Sequence, residues 1–292
     1  MARYQLAGRT IALTGATGGL GSALATELRT RGANLALMDL DDDALALQAA
    51  SLGGHAVARP YRVDVRDLST LQAAMDAAAA GFGRLDVVIA GAGVEVMSPM
   101  ALMHPAEFER TIDINLTGVW RTFRAALPHV QSPKGYLLAI SSMAAFVHSP
   151  LQAPYTASKA GVWAMSDSIR LEVGHLGVAV GTIHPTFFST PMMDRVLANA
   201  AGRRLWGEHQ SALWKMVPLE LVVAETVRAI ERRATMTVVP RRISAVARAA
   251  GLARPLIDRI GWPKDTIERT IDLVTIADAQ ASPRAAATPE GV

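Results

Sequence analysis

The segment TIALTGATGGLG, residues 10–21, decides the fold predicted for this chain. Thr10–Leu13 is a short run of β-type residues, Thr14–Gly21 is rich in glycine, and a helical pattern follows through Leu24 and Leu28. A strand, a glycine loop and a helix in this order form the context in which the N–H groups at a helix start bind phosphate. The segment therefore predicts the first unit of an α/β fold with a phosphate-binding loop.

The glycines of this loop have separate tasks if a dinucleotide binds there. Gly15 permits a tight turn, Gly19 lets the backbone approach a pyrophosphate, and Gly21 lets the helix pack closely. An ordinary glycine-rich turn would contain the same residue types, so the loop alone does not establish a nucleotide site. The motifs in the rest of the chain decide between the two interpretations.

Length, composition and charge limit the classes of protein to which the chain can belong. The chain has 292 residues, half of them hydrophobic, which suits one α/β domain with a large core. Its formal net charge of +3 does not indicate a nucleic-acid surface. The lack of cysteine excludes disulfides, thiolate zinc sites and cysteine nucleophiles, and no metal-ligand cluster is visible. Because neither a signal pattern nor an apolar run of transmembrane length is visible, we expect a cytoplasmic protein.

Further apolar runs of strand length alternate with helical patterns along the chain. The predicted strands are Ala33–Met38, Val57–Val63, Leu85–Ala90, Tyr136–Ile140 and Val178–Ile183. The predicted helices include Leu68–Ala80 and a long one over Ala106–Leu127. This alternation predicts an α/β fold, a doubly wound parallel sheet with helices on both faces.

Asp39 ends the second predicted strand, about 20 residues after the glycine loop. An acidic residue there accepts hydrogen bonds from the adenosine ribose hydroxyls and repels a 2′-phosphate. Arg and Lys are absent from Ala16, Thr17 and Leu40, where a phosphate-binding cation would be expected. These residues favour NAD over NADP. Alternatively, Asp39 only begins an acidic turn that caps the next helix.

The segment SMAAFVHSPLQAPYTASK, residues 142–159, contains a candidate acid/base group. Tyr155 and Lys159 stand four residues apart, so they share one face of a predicted helix. An ammonium beside a phenol would lower the phenol pKa and make it a usable general acid or base. Ser142 follows the predicted strand Tyr136–Ile140, where it could hydrogen-bond a substrate oxygen. Tyr-x-x-x-Lys also occurs by chance, so the spacing needs support from the other motifs.

Together these motifs resemble those of the short-chain dehydrogenase/reductase family, in its simple single-domain branch with a Rossmann-type sheet. The resemblance covers about Leu6 to Val239. The matching residues are the loop Thr14–Gly21, Asp39, the pair Asp64 and Val65, Asn115, Ser142, Tyr155, Lys159, Pro185 and Thr190. Two positions depart from the family pattern: Ala90 replaces the Asn of the N-A-G motif, and Thr186 replaces the Gly after Pro185.

The resemblance implies a role for each matching residue. Tyr155 exchanges a proton with the substrate oxygen, Ser142 hydrogen-bonds that oxygen, and Lys159 binds the nicotinamide ribose and lowers the Tyr155 pKa. Asn115 distorts its helix and holds a water that links Lys159 to solvent. The implied catalytic residues are Asn115, Ser142, Tyr155 and Lys159. The implied cofactor residues are Gly15, Thr17, Gly18, Gly19, Leu20, Gly21, Asp39, Asp64, Val65, Ala90, Gly91, Ala92, Tyr155, Lys159, Pro185, Phe188 and Thr190.

The implied function is that of an NAD-dependent oxidoreductase that interconverts a secondary alcohol and its ketone by hydride transfer. One alternative is an NADP-dependent carbonyl reductase with the same four catalytic residues. Another is a non-catalytic NAD-binding scaffold on the same fold. Family members usually pair through the helices that carry Asn115 and Tyr155, so we expect a homodimer or homotetramer and no nucleic-acid partner.

Large apolar side chains cluster in the segments expected to surround the substrate. In the family, the segment after Pro185 covers the substrate, here residues 186–216. The candidate substrate residues are Val94, Val96, Met143, Phe146, Phe187, Met192 and Met193. They predict a hydrophobic secondary alcohol or ketone, such as a steroid, a retinoid or a lipid-derived compound. Ordinary core and dimer packing would explain the same residues equally well.

Residues 240–278 are predicted to form a basic amphipathic helical extension of the domain at 1–239. Its first 35 residues carry seven cations and four acids. An apolar stripe at helical spacing includes Ile243, Val246, Ile257 and Ile260. Such a segment could lie on an anionic membrane, but packing on the domain or on a second subunit is favoured.

The end of the chain is predicted to contain one more helix and a tail. Gly251 and Pro255 should divide the apolar stripe into two short helices, and Asp265 with Glu268 resembles a capping box for a helix over Thr266–Ala277. Residues 279–292 are small, polar and contain proline, which predicts a disordered tail.

Overall fold

The computed structural model describes residues 4–198, 200–206, 215–251 and 264–281. Within this part of the chain, seven strands form one parallel sheet. The strands are β1 (Thr10–Thr14), β2 (Asn34–Asp39), β3 (Ala58–Arg62), β4 (Val87–Ala90), β5 (Tyr136–Ile140), β6 (Ala179–Pro185) and β7 (Met236–Val239). Their order, β3-β2-β1-β4-β5-β6-β7, is the doubly wound Rossmann-type arrangement, which confirms the predicted fold class.

Helices connect the strands and cover both faces of the sheet. The α-helices are α1 (Gly19–Thr30), α2 (Asp42–Ser51), α3 (Leu68–Phe82), α4 (Pro105–Ile112), α5 (Gly118–Val130), α6 (Ala153–Val173), α7 (Pro191–Ala198), α8 (Ala200–Trp206), α9 (Leu219–Arg232), α10 (Ser244–Arg248) and α11 (Lys264–Ala281). A π-helical turn, Asp113–Thr117, lies between α4 and α5. Short 3₁₀ turns occupy Met143–Ala145, Gly174–Leu176 and Arg241–Ile243.

Alternate residues of the central strands belong to two separate hydrophobic cores, one on each face of the sheet. On β1, Ile11 and Leu13 join the core formed with α1, α2 and α9, whereas Ala12 joins the core formed with α3, α5 and α6. Successive side chains of a strand point to opposite faces, so a strand buried on both faces reads as a continuous apolar run. This is why strand positions were readable in the sequence.

The helix predicted over Ala106–Leu127 is present as a continuous helical segment from Pro105 to Val130, in which the π-helical turn Asp113–Thr117 separates α4 from α5. That turn contains Asn115, whose buried side chain bonds to the loop after β4. The strand β7 was not predicted, although it pairs with β6 at the edge of the sheet.

The described part of the extension packs on the domain. Glu225 of α9 accepts a hydrogen bond of 2.8 Å from Arg241 and is almost fully buried, at 4% exposure. Ile243 and Val246 pack against a buried cluster that includes Met143. These contacts agree with the packing interpretation for this part of the stripe, whereas Ile257 and Ile260 lie outside the described residues.

The helix α11 packs on α8, and the side chains of Ile267 and Val274 contact a cluster that includes Leu205 and Trp206. The helix predicted over Thr266–Ala277 is present as α11, which begins two residues earlier, at Lys264, and ends four residues later, at Ala281. Residues 279–281, predicted as part of the disordered tail, therefore belong to this helix. Residues 282–292 of the predicted tail lie outside the described residues. Among the described helices, none is both long and apolar enough to span a bilayer.

Candidate active site

A cavity of about 730 Å³ lies at the carboxyl ends of β1, β4, β5 and β6. Ligands of doubly wound sheets bind at this edge, where the strand order reverses between β1 and β4. Most of the residues proposed from the sequence line this one cavity. They are Gly15, Thr17, Gly18, Gly19, Leu20, Gly21, Asp39, Asp64, Val65, Gly91, Ala92, Val94, Ser142, Met143, Tyr155, Lys159, Pro185, Phe187, Phe188, Thr190 and Met193.

Some residues proposed from the sequence lie elsewhere. Phe146, predicted to contact substrate, is buried at 3% exposure against Trp163 and His184, because it follows Met143 around a 3₁₀ turn and points into the core. Ala90, predicted to contact cofactor, is buried within β4. Val96 is half-buried and is not among the residues that line the cavity. The side chain of Met192 lies outside the described residues.

The glycine loop forms a concave backbone surface at one end of the cavity. A Cβ at Gly15 would lie 2.8 Å from the Ala92 nitrogen, and one at Gly19 would lie 2.9 Å from Pro191 Cδ. A Cβ at Gly21 would collide with the Gly15 carbonyl oxygen. Gly15 also has a φ of +73°, a backbone conformation that residues with a Cβ rarely adopt. These three positions therefore require glycine. Because the loop carries no side chains there, the N–H groups at the start of α1 remain accessible to an anionic group such as a pyrophosphate.

Asp39 lies on the wall next to the glycine loop. One carboxylate oxygen accepts hydrogen bonds from the Thr17 amide at 2.9 Å and from the Thr17 hydroxyl at 2.6 Å, and the other accepts from the Leu40 amide at 2.8 Å. The carboxylate is therefore held in place with its charge at the cavity wall. The N–H groups at the start of α1 and the carboxylate of Asp39 fit the pyrophosphate and the adenosine of a dinucleotide.

Cations are sparse around this end. Among the described residues that line the cavity, the cations are Arg66, Arg110 and Lys159. Arg66 is paired with Asp64 at 2.6 Å. This ion pair holds the pKa of Asp64 below its usual range.

Ser142, Tyr155 and Lys159 meet at the other end of the cavity. Ser142 begins the 3₁₀ turn after β5, and its hydroxyl oxygen accepts from the Ala144 amide at 3.1 Å. Tyr155 and Lys159 lie one turn apart on α6, with Lys159 Nζ 5.5 Å from the phenol ring centroid. Lys159 is buried, and its ammonium donates to the Ile140 carbonyl at 2.9 Å. The spacing read from the sequence thus brings these three side chains together.

Electrostatics of this cluster differ from the sequence prediction. Burial raises the pKa of Tyr155 above its ordinary value, the negative charge of Glu95 raises it further, and a hydrogen bond with Ser142 opposes them. Burial lowers the pKa of Lys159 to about 8, against a smaller raising effect of Glu95. The prediction that Lys159 would lower the Tyr155 pKa is wrong for the protein alone, because desolvation of the phenol dominates.

Asn115 lies beside the cavity rather than on its wall. It is fully buried, its amide nitrogen donates to the Val94 carbonyl at 2.8 Å, and its amide oxygen accepts from the Val94 nitrogen at 2.8 Å. Both halves of the amide therefore hold the loop after β4, in a π-helical turn of the kind often found at functional sites. The water-holding role implied by the resemblance remains a prediction.

The sequence analysis missed several residues of the cavity wall, among them Glu95, Gln152, Ile243 and Val246. Glu95 and Gln152 line the cavity and hydrogen-bond to each other. Ile243 and Val246 of the extension also line it. The acidic residue within an apolar run was a usable signal for Glu95. The apolar stripe indicated that Ile243 and Val246 are buried, but no local pattern indicated where.

Over the residues whose placement is described, no group of three or more His, Asp and Glu side chains is arranged to hold a metal ion.

Comparison with known proteins identifies the group to which these features belong. A family model described as short chain dehydrogenase matches residues 9–201. The D-threitol dehydrogenase of Mycolicibacterium smegmatis is 34% identical over 218 residues, which cover 74% of this chain and 80% of that protein. The 3beta-hydroxysteroid dehydrogenase 1 of Eggerthella lenta is 32% identical over 225 residues, covering 75% and 83% respectively. The (-)-trans-carveol dehydrogenase of Rhodococcus erythropolis is 34% identical over 212 residues, covering 66% and 75%.

Solved structures agree with this comparison. A short-chain type dehydrogenase/reductase from Mycobacterium marinum has a TM-score of 0.72 at 25% identity, over 80% of this chain and 94% of that one. A short chain dehydrogenase/reductase from Burkholderia phymatum in complex with NAD has a TM-score of 0.73 at 23% identity, over 84% and 93%. The second likeness supports the fold.

Proposed function

Because this chain belongs to the short-chain dehydrogenase family, and is therefore an oxidoreductase that uses a nicotinamide cofactor on alcohol groups, we propose that it is an NAD-dependent dehydrogenase of a hydrophobic secondary alcohol. The observation that carries this proposal is the meeting of Ser142, Tyr155 and Lys159 in a cavity that continues to the glycine loop and Asp39. The product is the corresponding ketone, and the candidate substrates are steroid-, retinoid- or lipid-like.

Each reacting residue has one task in the proposed mechanism. The cofactor, when bound, supplies the ring that accepts or donates the hydride. Ser142 hydrogen-bonds the substrate oxygen, and Tyr155 exchanges a proton with it. Because the pKa of Tyr155 is raised, its phenol is protonated at neutral pH and serves as the acid for ketone reduction. Alcohol oxidation needs the phenolate, so its rate should increase with pH.

Lys159 and Asn115 position the reacting groups in this proposal. Lys159 is buried and donates to the Ile140 carbonyl at 2.9 Å, and its ammonium is proposed to bind the cofactor ribose. Asn115 fixes the loop at Val94, next to the same cavity. Phe188 and Thr190, which line the cavity after β6, are proposed to hold the amide end of the nicotinamide.

NAD is the proposed cofactor because of the charge beside the glycine loop. The Asp39 carboxylate is fixed by Thr17 and Leu40, and a 2′-phosphate at this wall would meet that negative charge. Arg62 lies opposite Asp39 in the sheet but contacts Asp42 at 3.5 Å. The alternative, an NADP-dependent carbonyl reductase, would need this arginine to leave its contact.

The substrate end of the cavity supports a largely apolar substrate. Its walls include Val94, Met143, Val147, Phe187 and Met193. Ile243 and Val246 close the same end, so the proposed extension, residues 240–278, contributes to the substrate site of the proposed domain at 1–239. Relatives named as hydroxysteroid and carveol dehydrogenases are compatible with this chemistry, whereas the relative named for threitol indicates that polar alcohols also occur among similar proteins.

We also propose a homodimer or homotetramer. Three large apolar side chains are exposed on α4, α5 and α6: Phe108 at 41%, Trp120 at 44% and Leu171 at 73%. These are the helices through which the resemblance implies pairing, and exposed apolar side chains of this size favour a protein contact. A cytoplasmic location remains a prediction, and peripheral membrane contact through 240–274 is the less favoured use of the extension.

A turnover screen tests the proposed function. Purified protein is mixed with a panel of hydrophobic secondary alcohols, and reduced cofactor is followed by absorbance with NAD and NADP in parallel. Oxidation that is faster with NAD supports the proposal. Preference for NADP would favour the carbonyl reductase instead, and cofactor binding without turnover of any alcohol or ketone in the panel would favour the scaffold.

A further inference from the structure

Glu95 introduces a negative charge into the apolar end of the cavity. It lies on the loop after β4, between Val94 and Val96, and it lines the cavity. Among the described lining residues, the other carboxylates are Asp39 and Asp64, both on the cofactor side. Placing a carboxylate among apolar side chains is costly unless hydrogen bonds or charges compensate it, so its presence here calls for a chemical reason.

Gln152 supplies part of that compensation. Its side chain is buried, at 4% exposure, just before α6, and its amide nitrogen donates a hydrogen bond to the Glu95 carboxylate. Both side chains line the cavity. A carboxylate can accept about four hydrogen bonds, so a substrate donor can bind it alongside its protein partners. The pair is a built acceptor site on the wall of the cavity.

This acceptor site lies close to the reacting groups. Tyr155 lies in the first turn of α6, three residues after Gln152, and Ser142 lines the same cavity. The charge of Glu95 raises the pKa of both Tyr155 and Lys159. Because Glu95, Gln152, Ser142 and Tyr155 line one cavity, a substrate whose oxygen binds Ser142 and Tyr155 can place a second polar group at Glu95.

We propose that Glu95 and Gln152 form a specificity site that binds a second hydrogen-bond donor of the substrate, a hydroxyl or an amine next to the reacting carbon. This inference rests on the proposed function and narrows its substrate class to amphipathic secondary alcohols, such as vicinal diols and amino alcohols with an apolar remainder. A carboxylate accepts and does not donate, so the site selects donors over ethers and ketones. It also repels substrates that carry a carboxylate, because like charges in a partly desolvated cavity repel strongly.

The test compares matched cyclic alcohols. Cyclohexanol, trans-1,2-cyclohexanediol and trans-2-aminocyclohexanol share one ring and differ in the second group, and 2-hydroxycyclohexanecarboxylate supplies the anionic case. For the unaltered enzyme loaded with NAD, the ratio of kcat/KM for the diol to that for cyclohexanol should be at least about 10, as expected for a hydrogen bond to a charged group. A higher value for the amino alcohol would identify an amine as the better ligand, and the carboxylate should be the poorest substrate.

Two variants locate the preference. In Glu95→Leu the diol-to-cyclohexanol ratio should fall to about 1, and in Gln152→Leu it should fall in the same direction, because Glu95 loses its fixed position. Glu220→Gln is the matched control, since Glu220 is an exposed carboxylate on α9 and is not among the residues that line the cavity. A melting curve for each variant verifies folding, and Glu95→Gln, which keeps the side-chain shape, replaces Glu95→Leu if the latter does not fold.

A pH profile separates this role from a purely structural one. The groups that face the Tyr155 phenol are Glu95, Ser142 and Lys159, and His184 behind them remains neutral because burial lowers its pKa to about 4. Removing the Glu95 charge removes a cause of the raised Tyr155 pKa. The midpoint of the oxidation profile should therefore move to lower pH in Glu95→Gln, and an unmoved midpoint would contradict the inferred proximity.

Binding measurements keep the inference testable if turnover is absent. Ligand-observed NMR with the NAD-loaded enzyme measures the affinity for the diol and for cyclohexanol directly. Tighter diol binding that disappears in Glu95→Leu would uphold the specificity site even if the proposed oxidation fails. Equal affinity for the two ligands in the unaltered enzyme, or the same preference in both Leu variants, would overturn it.

Discussion

The two ends of the cavity are built in different ways. At the cofactor end, much of the wall is backbone of β1, the glycine loop, the start of α1 and the end of β2, and it is closely packed, because a Cβ at Gly15 or Gly19 would lie within 3 Å of Ala92 or Pro191. At the substrate end, side chains from the loops after β4, β5 and β6 meet Ile243 and Val246, which are distant in sequence. The cofactor end therefore tolerates little change of shape, whereas the side chains of the substrate end come from separate loops and can be changed one at a time.

This difference indicates which property each end controls. A backbone wall selects a common ligand part, such as a pyrophosphate, by close approach and fixed N–H groups. A wall of side chains selects by volume and by a few polar groups, which can change one residue at a time. Cofactor use and substrate use should therefore respond independently to substitution, with the reacting groups between them.

The largest expected effect comes from the residue at the junction of the two ends. Tyr155→Phe retains the ring and removes the transferable proton, so turnover should fall by about 10²-fold or more. The affinity for NADH, measured by fluorescence titration, should change little, because the phenol oxygen is not part of the backbone wall. Retention of most of the turnover would show that Tyr155 is not the acid/base group.

The second expected effect concerns the cofactor end alone. Asp39→Ala combined with Leu40→Arg removes the carboxylate beside Thr17 and adds a guanidinium that can pair with a phosphate. The ratio of kcat/KM for NADP to that for NAD should increase by about tenfold or more, while the ranking of alcohol substrates remains the same. The interpretation of Asp39 would fail if the unaltered enzyme already preferred NADP.

The smallest expected effect concerns the substrate end alone. Ile243→Ala together with Val246→Ala widens the cavity, and loss of about two apolar contacts should raise KM several-fold for bulky alcohols. The NADH affinity should stay within error of the unaltered value. Arg242→Ala is the control, because Arg242 is exposed on the same 3₁₀ turn. A similar change in KM in the control would show that the double variant acts by loosening the extension.

The same division explains what could be predicted from the sequence. The glycine loop and Asp39 depend on spacing within about 30 residues, and the buried strands on continuous apolar runs, so local patterns were sufficient. The spacing of Tyr155 and Lys159 placed both on one helix face, but it could not predict that Lys159 would bind the Ile140 carbonyl or that burial would raise the phenol pKa. Those outcomes depend on surroundings supplied by other elements.

The substrate end was harder to predict, because apolar side chains look alike in sequence. Met143 lines the cavity, whereas Phe146, three residues later, packs into the core against Trp163. Residue type does not distinguish these directions, and the 3₁₀ turn that separates them is too short to leave a pattern. The buried cluster that contains Met143 also packs against Val246, which is more than a hundred positions away, and no periodicity in either segment indicates the other.

The position of Ile243 and Val246 has a consequence for the nascent chain. Synthesis completes the glycine loop and then the reacting residues through Lys159 long before these two residues leave the ribosome. The emerging domain would thus have a nucleotide site first, with apolar cavity walls still open to water, a state in which chains tend to aggregate or engage chaperones. Only when Arg241 reaches the buried Glu225 on α9 is the last wall anchored. We therefore expect that ribosome-bound chains that end before residue 241 bind chaperones more strongly than those in which residue 251 has emerged.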